Sequence, residues 1–289
     1  MKNLNFSIGA GETLGFIGLN GAGKSTTIKI LTGLMVPTSG RCVVNGMIPH
    51  ENRNVYTKNI GVVFGNRSQL WWDLPVSESF SVLKKIYKIP GEVYQSNLKY
   101  LTDLLELDEF YLTAVRNLSL GQKMRADLAA SLLHNPCVLF LDEPTIGLDV
   151  FAKEKIRQAL KYINSNFNTT LLLTTHDLDD IEEICEKILI IDKGEVIFHD
   201  MLGELKKSYG NQSLLTVELI DKNSIDISGA DCPFTSALTQ KQVADKVVTI
   251  SFKDSEINLP ELMKFIVTRY QVKDLSIKKP ELEDIIKSI

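Results

Sequence analysis

Gly18-Leu19-Asn20-Gly21-Ala22-Gly23-Lys24-Ser25-Thr26 sets Gly18, Gly23, Lys24 and Ser25 at the spacing G-x-x-x-x-G-K-[ST] of a phosphate-binding loop. The glycines allow tight turns with positive φ, so successive backbone N–H groups can face phosphate oxygens from the N-terminus of the following helix. The expected partner is a nucleoside triphosphate cradled by Asn20, Gly21, Ala22, Gly23 and Thr26. Lys24 then meets the β and γ phosphates, and the Ser25 hydroxyl ligates Mg²⁺. The context suits this better than a glycine-rich turn with an incidental lysine. Thr13 to Ile17 has β character, and Ser25 to Leu34 carries Ile28, Leu31 and Thr32 at helical spacing before Gly33 and Pro37.

Working outward, alternating elements imply a mainly parallel sheet. Arg41 to Asn45 reads as a short strand, as do Ile60 to Phe64, Val138 to Leu141, Thr170 to Thr174 and Lys187 to Ile191. Helical periodicity dominates Val76 to Leu133, broken at Pro90-Gly91 and near Asn117, and looks like a helical insertion into that sheet. Beyond a polar connection from Gly203 to Gln212, the pattern shifts to strands at Leu214 to Ile220 and Lys246 to Phe252. Helices are expected near Leu259 to Tyr270 and Glu281 to Ile289. The fold class expected is α/β, with a nucleotide-binding domain over 1–205, a helical subdomain over about 66–135, and a small α+β domain over 211–289.

The chain has 289 residues and a net charge of −4 with no basic tract, which argues against nucleic acid as the main partner. Its apolar runs, such as Val138 to Leu141 and Ile188 to Ile191, fall far short of the roughly 20 residues of a membrane span. Cys42, Cys137, Cys185 and Cys232 lack metal or disulfide spacing and read as buried thiols in a reducing compartment. Asn3, Asn5 and Gly9 interrupt the N-terminus where a secretory signal would be apolar, so the cytosol is expected.

A second feature is the apolar run Cys137 to Leu141 ending in Asp142-Glu143. Alone, this is a solvated strand end. Coupled to a phosphate loop, Asp142 can hold Mg²⁺ and Glu143 can accept a proton from attacking water. His176, one residue past the strand expected at Thr170 to Thr174, would share that sheet edge and could reach a γ-phosphate or the attacking water.

With these motifs the chain resembles the ATP-binding subunits of ATP-binding cassette (ABC) transporters. Leu118-Ser119-Leu120-Gly121-Gln122 resembles the family's signature motif, Ile146-Gly147-Leu148-Asp149 its D-loop, and Thr174-Thr175-His176 its switch-histidine loop. The resemblance implies two subunits closing head to tail around two ATP molecules. Ser119, Leu120, Gly121 and Gln122 would contact the nucleotide held by the opposite subunit, with Asp149 beside it. Without the family, Ser119 reads as a plain N-cap of an amphipathic helix.

The match departs from the family in three places. The family's Q-loop glutamine is expected after Phe64, where the chain offers Asn66 or Gln69; register favours Asn66 as nucleotide contact and Mg²⁺ ligand. Leu120 replaces the first signature glycine. Family members also carry a further upstream segment with a first strand and an aromatic that stacks on adenine, so the N-terminal strands are expected to be partly missing. Phe6 reads as a sheet residue instead. Loss of such an aromatic is expected to weaken ATP binding by about 1 kcal/mol.

Trp71-Trp72 reads either as a partner surface or as packing under the helical block. The run Gln69 to Pro75 and the tail Lys278 to Ile286 resemble drug, viologen and polysaccharide exporter ATPases. The resemblance therefore implies an ATPase subunit of an exporter, using ATP and Mg²⁺. It would act as a homodimer, or with a paired second ATPase subunit, on the cytoplasmic side of the cell membrane through a separate integral-membrane permease. The alternatives are a soluble cassette ATPase acting on ribosome or DNA, and an ATP-binding scaffold with impaired hydrolysis.

Overall fold

A computed structural model describes residues 1, 3–65, 67–210, 212–220, 233–234, 238–244, 246–253 and 256–288. The chain divides into two compact units, Met1–Leu202 and Gly203–Ile289.

In the first unit β1 (Thr13–Gly18) leads through the glycine loop into α1 (Lys24–Leu31), and a short α2 (Arg53–Tyr56) precedes β2 (Ile60–Phe64). The helical block comprises α3 (Val76–Tyr87), α4 (Gly91–Leu105) and α5 (Leu120–Leu132). Pro90 opens α4 at its N-cap, where its missing N–H costs no helical bond. After the block come β3 (Val138–Asp142), α6 (Val150–Phe167), β4 (Thr170–Thr174), α7 (Leu178–Ile184), β5 (Lys187–Asp192) and β6 (Glu195–Met201).

The sheet runs β2-β3-β4-β1-β5-β6, parallel except for β6. Its central strands are buried on both faces, as continuous apolar runs such as Leu171-Leu172-Leu173 require. Leu14, Phe16, Phe140 and Leu172 pack with Ile28 of α1, and each such side chain contributes about 1.5–3 kcal/mol through burial. Register fixes the functional edge. Phe64 pairs with Asp142, Asp142 with Thr174 and Thr174 with Phe16, so the loops leaving four neighbouring strands converge at their carboxyl ends.

Several expectations need correction. Arg41 to Asn45 forms no strand: only Val44 bridges to Met47, around a tight turn in which Asn45 and Gly46 both take positive φ. A run with β character needs a ladder partner, and 41–43 has none among the described residues. Phe6 likewise sits in no strand; its half-buried ring lies 6.2 Å from that of Phe16 and 6.3 Å from that of His199. β6 was not expected, although Lys193 and Gly194, both at positive φ, form the kind of two-residue turn that joins antiparallel strands. Of the three described thiols read as buried, only Cys185 is; Cys42 is half-buried and Cys137 is exposed, and Cys232 lies outside the described residues.

The polar connection expected at Gly203 to Gln212 is mostly α8 (Leu202–Tyr209). The second unit continues with β7 (Gln212–Leu219), β8 (Leu238–Ala244), β9 (Val247–Lys253), α9 (Leu259–Arg269), β10 (Val272–Lys278) and α10 (Leu282–Ser288). The four strands form an antiparallel sheet in the order β10-β7-β9-β8. Leu215, Val217, Val248 and Ile250 alternate onto one face, where Leu262 and Ile266 of α9 cover them.

Candidate nucleotide site

Gly21 and Gly23 take φ of 84° and 114°, a region that other residues enter only with strain. Gly23 is the N-cap of α1, which has neither a side-chain cap nor an acidic residue in its first turn. The helix therefore presents N–H donors and the positive end of its dipole to an anion. Lys24 is buried, and its ammonium donates to the carbonyls of Gly18 at 2.5 Å and Leu19 at 3.4 Å. Burial lowers its pKa, against the pull of the Glu143 and Asp142 carboxylates.

A cavity of about 320 Å³ lies against this loop. Asn20, Gly21, Gly23, Lys24, Ser25 and Thr26 form one side of it, and Asp142, Glu143 and His176 the other. Ala22 is buried behind the loop, while Leu19 and Ile146, given no site role from sequence, complete the wall. A larger groove of about 1640 Å³ runs along residues 3–10 and 35–45, but among the described residues no carboxylate side chain lines it. The smaller cavity, which gathers a lysine, two hydroxyls and two carboxylates, is the candidate chemical site.

The far wall is held by contacts between strand ends. Asp142 accepts a hydrogen bond from the Thr174 hydroxyl at 2.6 Å, a contact that sequence reasoning missed. Its only signal was a hydroxyl directly after the apolar run Leu171-Leu172-Leu173. Glu143 takes φ of 56°, unfavourable for a non-glycine residue, and its N–H donates to the Thr174 carbonyl at 2.9 Å. Gly65 donates to the Asp142 carbonyl at 2.7 Å, and a Cβ there would lie 2.0 Å from the Glu143 carbonyl oxygen. The Glu143 carboxylate faces His176, with the backbone N–H at 3.3 Å and Nε2 at 3.2 Å. Burial raises the Glu143 pKa, while His176 and Lys24 act in the opposite direction.

The remaining candidates lie off this cavity. Ser119 caps α5: its hydroxyl accepts from the Gln122 N–H at 3.2 Å, and the Gln122 side chain accepts from the Ser119 N–H at 3.0 Å. Leu120 is 46% exposed. A Cβ on Gly147 would stand 3.1 Å from the Leu120 side chain, and one on Gly121 would stand 3.2 Å from Ala152. The signature loop thus rests on the start of α6, whose N-cap Asp149 accepts from the Ala152 N–H at 2.9 Å. None of Ser119, Leu120, Gly121, Gln122 and Asp149 lines the cavity of its own chain.

Asn66 lies outside the described residues. Gln69 turns away from the cavity: its amide donates to the Asp127 carbonyl at 2.9 Å and its N–H to the Asp127 carboxylate at 3.0 Å. The Ser68 hydroxyl donates to the same carboxylate at 2.8 Å, and burial pushes that group up to about 6. Trp72 is 58% exposed, with the Lys123 ammonium 5.0 Å from its ring centre.

The family model described as ABC transporter matches residues 1–146. An ABC transporter ATP-binding protein of Clostridium acetobutylicum is 33% identical over 217 residues, spanning 74% of this chain and 77% of that one. Methionine import ATP-binding protein MetN 2 of Enterococcus faecalis is 27% identical over 276 residues, 94% of this chain and 79% of its own. YbhF of Escherichia coli, named as a multidrug ABC transporter ATP-binding protein, is 34% identical over 211 residues, 72% of this chain but 36% of its own. Among solved structures, a dimeric ATP-binding cassette in a post-hydrolysis state with ADP and Pi superposes with a TM-score of 0.63 at 30% identity, covering 70% of this chain and 90% of that one. A P-loop α/β sheet, a cavity walled by the phosphate loop and paired carboxylates, and these relatives together show that the chain belongs to the ABC transporter family, as an ATP-binding, ATPase-type subunit.

Proposed function

We propose that this chain is the ATP-hydrolysing subunit of an exporter and drives a separately encoded integral-membrane permease from the cytoplasmic side of the membrane. The observation that carries the reading is the single cavity joining Lys24 and Ser25 to Asp142, Glu143 and His176. The positive-φ glycines and the uncapped start of α1 suit phosphate, and the Ser25 hydroxyl and Asp142 carboxylate are the hard oxygen donors that suit Mg²⁺, with Asn66 as a further ligand. When bound, Mg²⁺ neutralises phosphate charge. Lys24 binds the β and γ phosphates. Glu143, its proton affinity raised by burial, takes the proton of the attacking water, and His176 holds the γ-phosphate side of the cavity.

The signature residues fit a two-subunit site. Ser119, Leu120, Gly121, Gln122 and Asp149 lie off their own cavity, so they serve the nucleotide of a second copy or a paired ATPase subunit. The solved neighbour is described as a dimer, which supports that arrangement. On this reading 1–205 is the cassette and 211–289 an accessory domain. No described helix is long and apolar enough to cross a membrane.

Export is favoured by the run Gln69 to Pro75, by the tail Lys278 to Ile286, and by the similarity to YbhF. Import is the second reading, because the similarity to MetN 2 extends over nearly the whole chain. A tagged pull-down from detergent-solubilised membranes, with and without ATP, should retain a multi-span membrane protein in near-stoichiometric amount. ATP-driven accumulation by inside-out vesicles carrying that complex would support export, and ATP-driven loss would support import. Recovery of ribosomes or DNA-bound proteins would overturn the transport reading.

A further inference from the structure

Behind the far wall of the cavity lies a buried charge that the roles above do not use. Asp180, in the first turn of α7, is 0% exposed. One of its carboxylate oxygens, Oδ2, accepts hydrogen bonds from the Thr145 hydroxyl and, at 3.1 Å, from the Thr175 hydroxyl. The other, Oδ1, accepts from Arg157 Nε of α6 at 2.6 Å. Arg157 is 8% exposed and is itself fixed by Glu183 at 2.9 Å and Asp177 at 3.6 Å. The Thr175 hydroxyl also accepts from the Asp177 N–H at 3.0 Å, so both of its roles are spent within the network.

The position of these threonines matters. Thr145 follows Glu143 by two residues, and Thr175 immediately precedes His176. One carboxylate therefore ties the Glu143 loop to the His176 loop from behind, while Glu143 and His176 meet at the cavity surface. A carboxylate wholly out of water persists only when paired and hydrogen-bonded, and a buried ion pair is weak evidence for stability alone. Geometry is what this one supplies: a fixed joint between two loops whose side chains face the same cavity.

We propose that Asp180, held by Arg157, is a positioning residue for hydrolysis that sets the relative placement of Glu143 and His176. The proposal rests on the reading of Glu143 as the base. It is tested by measuring kcat, the Kd for Mg-ATP and the melting temperature of Asp180→Asn and of the double variant Thr145→Val/Thr175→Val, with Glu143→Gln as reference. Asp180→Asn keeps the side-chain volume but removes the charge opposite Arg157, and the threonine variants remove only the hydroxyls.

The expected result is a kcat lowered by roughly tenfold to a hundredfold in Asp180→Asn, the scale of a small misplacement, with Kd within about twofold. The double variant should lower kcat less, with the same split. Should Asp180→Asn fail to fold, the double variant carries the test. Wild-type kcat in the folded variants with Glu143→Gln inactive would overturn the proposal alone, as would a fall in kcat matched by an equal loss of ATP binding and thermal stability. Wild-type turnover in Glu143→Gln would instead overturn the base assignment beneath it.

Discussion

The loop after β1 and the paired loops after β3 and β4 face one cavity but are built in opposite ways. The phosphate loop is local: Gly21 and Gly23 at positive φ shape it, and its ammonium folds onto the loop's own carbonyls. The opposite wall depends on side chains that meet across the chain, at sequence separations of 32 for Thr174 and Asp142, 33 for His176 and Glu143, and 35 for Asp180 and Thr145. A cradle made of backbone binds; a wall made of long-range contacts orients. Binding and turnover should therefore respond to different substitutions.

The largest expected effect comes from Lys24→Ala. It should remove turnover and weaken Mg-ATP binding by about a hundredfold, the upper end for one charge-assisted hydrogen bond, in a nucleotide titration. Affinity within about threefold of wild type would mean that the backbone alone holds the phosphates.

A third loop, after β2, is tied to α5 by the carboxylate of Asp127 and should add a pH dependence in the acid range. Its carboxyl is raised from 3.8 to about 6 in the folded chain, so the ionised form is the disfavoured one there. This group's stabilisation is full below its unfolded pKa and is lost as pH rises from about 4 through about 6, by about 3 kcal/mol at most. Chemical denaturation across that window should show the loss in wild type relative to Asp127→Asn. Parallel curves would contradict it.

The smallest effect sharpens the contrast on the catalytic side. A Cβ at Gly65 would meet the Glu143 carbonyl oxygen at 2.0 Å, so Gly65→Ala should cost about 1–3 kcal/mol of stability and lower turnover. Its Kd for ATP should stay within about twofold. A parallel loss of ATP affinity would show that the two walls are not independent.

These differences also explain what could be read from the chain. The phosphate loop, Asp142-Glu143 and His176 are legible because each follows a short, fully buried apolar run, and the parallel sheet follows from their order. The edge strands β6 and β10 are not: they bury few side chains and carry no continuous apolar signal, whereas β2, also at an edge, keeps one. Arg41 to Asn45 has strand composition but, among the described residues, only the single bridge of Val44 to Met47, and α8 hides behind a polar surface that covers Leu205. Asp180 sits in the acidic stretch Asp177-Leu178-Asp179-Asp180, which reads as a solvated helix start until Arg157, Thr145 and Thr175 close over it. Thr174 is equally silent, because its role depends on the neighbouring strand.

The measurement that tests the account most directly is the turnover and Mg-ATP affinity of Glu143→Gln side by side. Separate walls for binding and chemistry predict an unchanged Kd with kcat reduced by about 10²- to 10⁴-fold, the usual contribution of a general base. Turnover above roughly a tenth of wild type, or a Kd that weakens along with kcat, would contradict it.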